Sequence, residues 1–150
     1  MARRLGLGLI AMALLVGASP GTAGAASASA AKPAKCVVAI SSLRWHPRHI
    51  SAGGSSVVRL SARNCTHQTQ AVTLTWLGRF AGAQAGIPAG CPAIDPVAEP
   101  VTLSPRGGFK AQLGFQTFAS CTATSLSETA RVTGAGGTVL AEQTAVLRIS

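Results

Sequence analysis

Apolar side chains recur at every second residue through most of this chain, and that rhythm limits it to one class of fold. In VVRLSAR, Val58, Leu60 and Ala62 fall on one side of an extended backbone while Arg59, Ser61 and Arg63 fall on the other. QAVTLTW sets Val72, Leu74 and Trp76 against Thr73 and Thr75, and GFKAQLGFQTF sets Phe109, Ala111, Leu113 and Phe115 against Lys110, Gln112, Gly114 and Gln116. In TVLAEQTAVLRIS the shared side carries Val139, Ala141, Ala145, Leu147 and Ile149. Side chains alternate across a strand, so each stripe predicts a strand buried on one face. Thr and Val suit such a half-buried pleated surface. No stretch shows the apolar stripe of an amphipathic helix, and no internal repeat is present.

Turn chemistry separates the stripes at Ala52-Gly53-Gly54, at Ser104-Pro105-Arg106-Gly107-Gly108 and at Gly134-Ala135-Gly136-Gly137. Glycine enters positive φ without strain, as tight turns require. The predicted strands are 37–45, 56–64, 70–78, 99–104, 109–117, 122–133 and 138–149. Seven short strands with a turn about every dozen residues predict an all-β, two-sheet sandwich. One stretch breaks the rhythm: GIPAGCPAIDPVAEP, residues 86–100, holds four prolines. Proline cannot donate to a ladder, so this part reads as a crossover, spanning about 79–98, rather than as a central strand.

The first thirty residues follow a different rule. Arg3 and Arg4 precede an apolar run from Leu5 to Val16, and small-residue sites follow at Ala23-Gly24-Ala25, Ala26-Ser27-Ala28 and Ala28-Ser29-Ala30. That layout predicts a secretory signal peptide over 1–30, cleaved after Ala25, Ala28 or Ala30. As a helix the run spans about 18 Å, short of the ~30 Å hydrocarbon core. No later run is long enough either, so the mature form is expected to be extracellular, secreted and without a transmembrane segment. A leader, 31–35, then opens onto the sandwich domain, 36–150, which is one domain's worth of chain.

All four cysteines, Cys36, Cys65, Cys91 and Cys121, fall in the exported part. An even count in an oxidising compartment predicts two disulfides, and no close pair of the zinc or redox kind is present. Three pairings are possible in principle. Val58, Leu60 and Ala62 put even positions inward, so Cys65 is out of phase for a core-crossing bridge to Cys121. In an up-and-down walk through the strands, Cys36 and Cys65 meet at one end, and Cys91 and Cys121 at the other. The expected pairs are therefore Cys36–Cys65 and Cys91–Cys121.

Catalytic chemistry finds little to work with. The carboxylates are Asp95, Glu99, Glu128 and Glu142. Sugar hydrolysis needs a convergent pair, whereas Asp95 and Glu99 sit beside Pro96 and Pro100 in a solvated stretch. His46 and His49, with His67, are the residues from which an imidazole metal site could be built, but Pro47 between the first two suits a bend better. A serine elbow, a P-loop and a dinucleotide fingerprint are absent. No enzyme activity, cofactor or metal is expected. Asn64-Cys65-Thr66 satisfies the N-glycosylation pattern and reads as a strand end.

The chain carries 13 Lys and Arg against 4 Asp and Glu, a formal charge of +9, reduced to +7 without Arg3 and Arg4. The cations are spread singly along the sequence, which serves solubility and favours anionic partners. Single-stranded nucleic acid wants exposed aromatic platforms. Tyr is absent and Phe109 and Phe115 are in core phase, so no nucleic-acid partner is expected.

The strand rhythm, Trp76 in the third strand and Asn64-Cys65-Thr66 closing the second resemble the immunoglobulin-like sandwich domains of small exported bacterial proteins. That resemblance covers about 36–150. With no catalytic motif present, the expected protein is a monomeric or weakly associating, non-catalytic module, its partner an unidentified protein or, as the basic charge favours, an anionic envelope component. A second resemblance is local. Cys91-Pro92-Ala93-Ile94-Asp95-Pro96-Val97 is similar to the reactive loop of the bacterial subtilisin-inhibitor family, one residue shorter between Cys-Pro and Asp-Pro. It implies a serine-protease inhibitor with Ala93–Ile94 as the reactive bond and Ala93, Ile94 and Asp95 as the interaction loop.

Overall fold

Each period-two stripe becomes a strand. The computed structural model describes residues 35–81 and 86–150. The expected signal peptide, and the leader apart from Lys35, lie outside the described residues. The strands are β1 (Val38–His46), β2 (His49–Ile50), β3 (Ser55–Asn64), β4 (Gln70–Phe80), β5 (Val97–Leu103), β6 (Gly108–Gln116), β7 (Ser125–Thr133) and β8 (Val139–Ile149). They form a three-stranded sheet, β1-β3-β6, and a five-stranded sheet, β2-β8-β7-β4-β5. Every pairing is antiparallel except β2 with β8. One 3-10 turn, Ala135–Gly137, joins β7 to β8.

The inward stripes of the two sheets meet in one core. Leu43, Trp45, Val58, Leu60 and Ala62 come from the smaller sheet, and Val72, Leu74, Trp76, Phe80, Leu126, Ala130, Val132, Leu147 and Ile149 from the larger. Fully burying one such aliphatic side chain contributes about 1.5–3 kcal/mol. Trp45 closes one side of the sandwich. Its indole N–H donates to the Ala145 carbonyl on β8 at 3.3 Å, and its ring meets Phe115 edge-on at 6.1 Å.

The all-β, two-sheet, two-disulfide expectation holds, with differences that have local causes. The two-residue β2 is too short to show a stripe, yet it pairs with Arg148 and Ile149. β7 begins at Ser125 rather than 122, because the Thr122 N–H is committed to the Ala89 carbonyl at 3.1 Å. Val139 is 52% exposed rather than inward. Leu140 is an extra residue opposite Val132 and Thr133, and this bulge flips the phase so that Leu140 takes the half-buried place. Phe109, Ala111, Leu113 and Phe115 pack against the core but stay half-buried, since β6 is an edge. β5 takes in Pro100, which it tolerates as the other sheet's edge strand.

Both disulfides pair as the phase of the strands indicates, Cys36–Cys65 and Cys91–Cys121. The first ties the start of β1 to the end of β3, and the second ties the crossover to the β6–β7 loop. Val38 stands opposite Asn64, whereas Ser150 accepts from Ala52 just before β3. Residues 36 and 150 therefore lie at opposite ends of the strands.

Candidate polyanion-binding face

The outward phase of the three-stranded sheet gathers cations that are far apart in sequence. Register places Arg44 of β1 directly opposite Arg59 of β3, with Gln112 of β6 next in the row. The following row is Ser42, Ser61 and Lys110, and Arg63 stands two residues further along β3, opposite Gly108. Arg44, Arg59, Arg63 and Lys110 are exposed. No carboxylate exists on these strands: Glu99, Glu128 and Glu142 belong to β5, β7 and β8, and Asp95 to the crossover. Glu142 is engaged by Arg131 on the five-stranded sheet. Like charges directly opposite in a sheet destabilise it unless a counter-anion intervenes.

The face runs into a cleft of about 820 Å³ at its end, lined by Lys35, Arg63, Thr66, His67, Arg106 and the Cys36–Cys65 bridge. Arg106 is held there deliberately. The Gly107 N–H donates to the Ser104 carbonyl at 2.9 Å, closing a turn with Pro105 second and Arg106 third. Arg106 has φ +56°, the left-handed region that a turn with proline at its second position normally fills with glycine. Its backbone N–H donates to the Thr66 carbonyl at 2.9 Å, and its Nη2 donates to His67 Nε2 at 2.7 Å. A guanidinium only donates, so His67 Nε2 is the acceptor and the ring proton sits on Nδ1.

Asn64 fixes the base of the cleft. It is 1% exposed. Its Nδ2 donates to the carbonyls of Gln68 at 2.7 Å and Ser104 at 3.0 Å, while its Oδ1 accepts from the Thr66 N–H and hydroxyl, each at 2.8 Å. The Asn64-Cys65-Thr66 pattern thus serves a buried lock between two turns.

The other sequence-predicted residues lie elsewhere. Ala93 and Asp95 are exposed, while Ile94 between them is half-buried and packs against the core. His46 ends β1 at the end opposite His67, so the three histidines are not brought together. Glu128 is buried on the inward phase of β7 between Leu126 and Ala130. In SLSETARVT the signal for Glu128 is the alternation itself, which sets a glutamate in an inward place. The cationic face had no local signal, because antiparallel register created it. Arg106 had one, in a Pro-x-Gly-Gly turn with arginine at x.

No family model matches the chain, and no curated protein matches it. Solved structures do. An alkylpurine DNA glycosylase from Pseudomonas fluorescens, bound to DNA containing an abasic-site analogue, aligns at TM-score 0.53 and 13% identity over 78% of this chain and 31% of its own. A putative β-galactosidase from Bacteroides fragilis aligns at TM-score 0.48 and 18% identity over 73% and 15%, and a β-glucosidase from Listeria innocua at 0.45 and 11% over 75% and 16%. The chain spans less than a third of these proteins, and the first likeness is one of fold alone.

Proposed function

We propose that this is an exported, non-catalytic β-sandwich module that binds a linear anionic polymer of the cell envelope along β1-β3-β6. The observation that carries the reading is the Arg44–Arg59 pair on a sheet face with no carboxylate. Unbound, two guanidiniums opposite each other repel; a bridging anion turns the same pair into a clamp. Successive rows of one face lie about 7 Å apart, two residues of rise each. Arg44 with Arg59, then Lys110, then Arg63 therefore offer a cationic row about every 7 Å, suited to a chain with one anion per short repeat. Lys35 and Arg106 extend the track into the cleft. The outward residues of these strands are Ala, Val, Ser, Arg, Lys, Gln, His and Gly, without an aromatic platform for bases.

The three-on-five strand order, with Trp45 and Trp76 in the core, supports an immunoglobulin-like assignment. The signal-like N-terminus and two disulfides support export. Ile94 turned toward the core supports a clamped crossover over a protease-inhibitory loop, which must offer the residues on both sides of its reactive bond.

The test is binding of the disulfide-bonded domain to a polyol-phosphate polymer, to a polyuronate and to duplex DNA across a salt series. Envelope-type polymers should bind with a steep salt dependence that weakens in Arg44→Ser/Arg59→Ser. Binding only to DNA, or no loss in the double variant, would overturn the reading.

A further inference from the structure

Glu128 occupies a place where this pattern asks for an aliphatic residue, and it is 2% exposed. Gly78 on β4 and Ala145 on β8 stand directly opposite it. Its Oε1 is buried with no hydrogen-bond partner among the described residues. Burial disfavours the charged form and pushes the carboxyl up to about 7. The room comes from Gly78: a β-carbon there would overlap Ile94 Cγ2 and come within 3.0 Å of Glu128 Oε2. Ile94 and the carboxyl therefore share the bare backbone of Gly78 as their seat.

Among the described residues, nothing around the carboxyl compensates its charge. The inward neighbours of Gly78 on β4 are Trp76 and Phe80, and those of Ala145 on β8 are Gln143 and Leu147. The inward residues of β1, β3 and β6 carry no titratable group, and β2 contributes Ile50. Arg79, Arg131 and Glu142 have the outward phase of their strands, and Asp95 beside Ile94 is exposed.

We propose that Pro92–Pro96 is a pH-released strap: Ile94 stays seated while Glu128 holds its proton, and leaves when Glu128 gives that proton to solvent. The ionised oxygens then need water, and Ile94, which shares the seat at Gly78, is a cover that can move. The strap is anchored on both sides, by Cys91–Cys121 before it and by the Val97–Trp76 pairing after it. Release therefore presents a short proline-flanked segment, with the Ala93–Ile94 bond inside it, while the sandwich stays folded. The device is independent of what binds the other sheet.

The test is limited digestion of the disulfide-bonded domain by a broad-specificity protease between pH 5 and pH 9. Rates are normalised at each pH to a free peptide of residues 90–98. Cleavage within 92–97 should rise by up to roughly a hundredfold in the wild type and stay flat in Glu128→Gln. A nuclear Overhauser contact from the Ile94 methyls to Gly78 Hα should be present at pH 5 and lost at pH 9. Ile94→Ala should be cut rapidly at both. A flat wild-type profile, an equal rise in Glu128→Gln, or cuts spreading into β3 and β7 at the same rate would overturn the strap.

Discussion

Arg44 and Arg59 face each other across β1 and β3, both exposed, on a sheet that contains no acidic residue. Repulsion between them is a standing cost to the free fold of about 0.2–1 kcal/mol. Arg59→Ser should therefore leave stability unchanged or raise it by that amount in low salt, while weakening polyanion binding. The slope of log affinity against log salt should fall by about one per cation removed. Thermal melts and a salt-series titration check both halves.

Arg106 sits at φ +56° in a position made for glycine. Arg106→Gly relieves a left-handed backbone costing about 1–2 kcal/mol, offset by loss of the bond to His67. The variant should melt a few degrees higher and bind anions less well. Arg106→Lys keeps the charge and the strain but loses the fork, and should fall between the two in binding. Melting temperature and affinity measured on the same samples separate these effects.

Stability should fall as the solution becomes alkaline. The Glu128 carboxyl rises from 4.5 to about 7 on folding, so the folded state holds its proton more tightly than the unfolded chain. That contribution is fully present below pH 4.5 and is lost as pH rises through 7. The loss is at most about 3 kcal/mol. Urea unfolding at pH 4.5 and pH 9 should show the difference in the wild type and little of it in Glu128→Gln. Acid should cost the fold little, because only three other carboxylates exist.

Each disulfide closes a loop of about 30 residues, worth roughly 3.5 kcal/mol in the chain-entropy model. The two removals should nevertheless differ in kind. Cys91→Ala/Cys121→Ala should expose the crossover to proteolysis with polyanion binding kept. Cys36→Ala/Cys65→Ala should loosen Lys35 at the cleft and lower affinity. Digestion patterns and binding isotherms of the two double variants distinguish them.

The parts of this fold legible in the sequence are those that depend on neighbours along the chain. Val58, Leu60 and Ala62 declare their face by spacing alone, and the same spacing excludes Cys65 from a core-crossing bridge. What stayed hidden depends on partners far away. Arg44 and Arg59 are ordinary strand cations until β1 and β3 are set in register. The exposed Val139 follows from one extra residue, Leu140, that only the facing strand reveals. Ile94 looked like half of a displayed bond, because its seat is a glycine sixteen positions earlier and a glutamate on a third strand.

The opposite placement of residues 36 and 150 has a mechanical consequence. A pull between them runs along the strands, so the β2–β8 ladder is sheared with its hydrogen bonds resisting together instead of unzipping singly. The Cys36–Cys65 bridge carries the tension past β1 to the end of β3, deep in the smaller sheet. Under such a load the domain would yield last at the end its first disulfide guards.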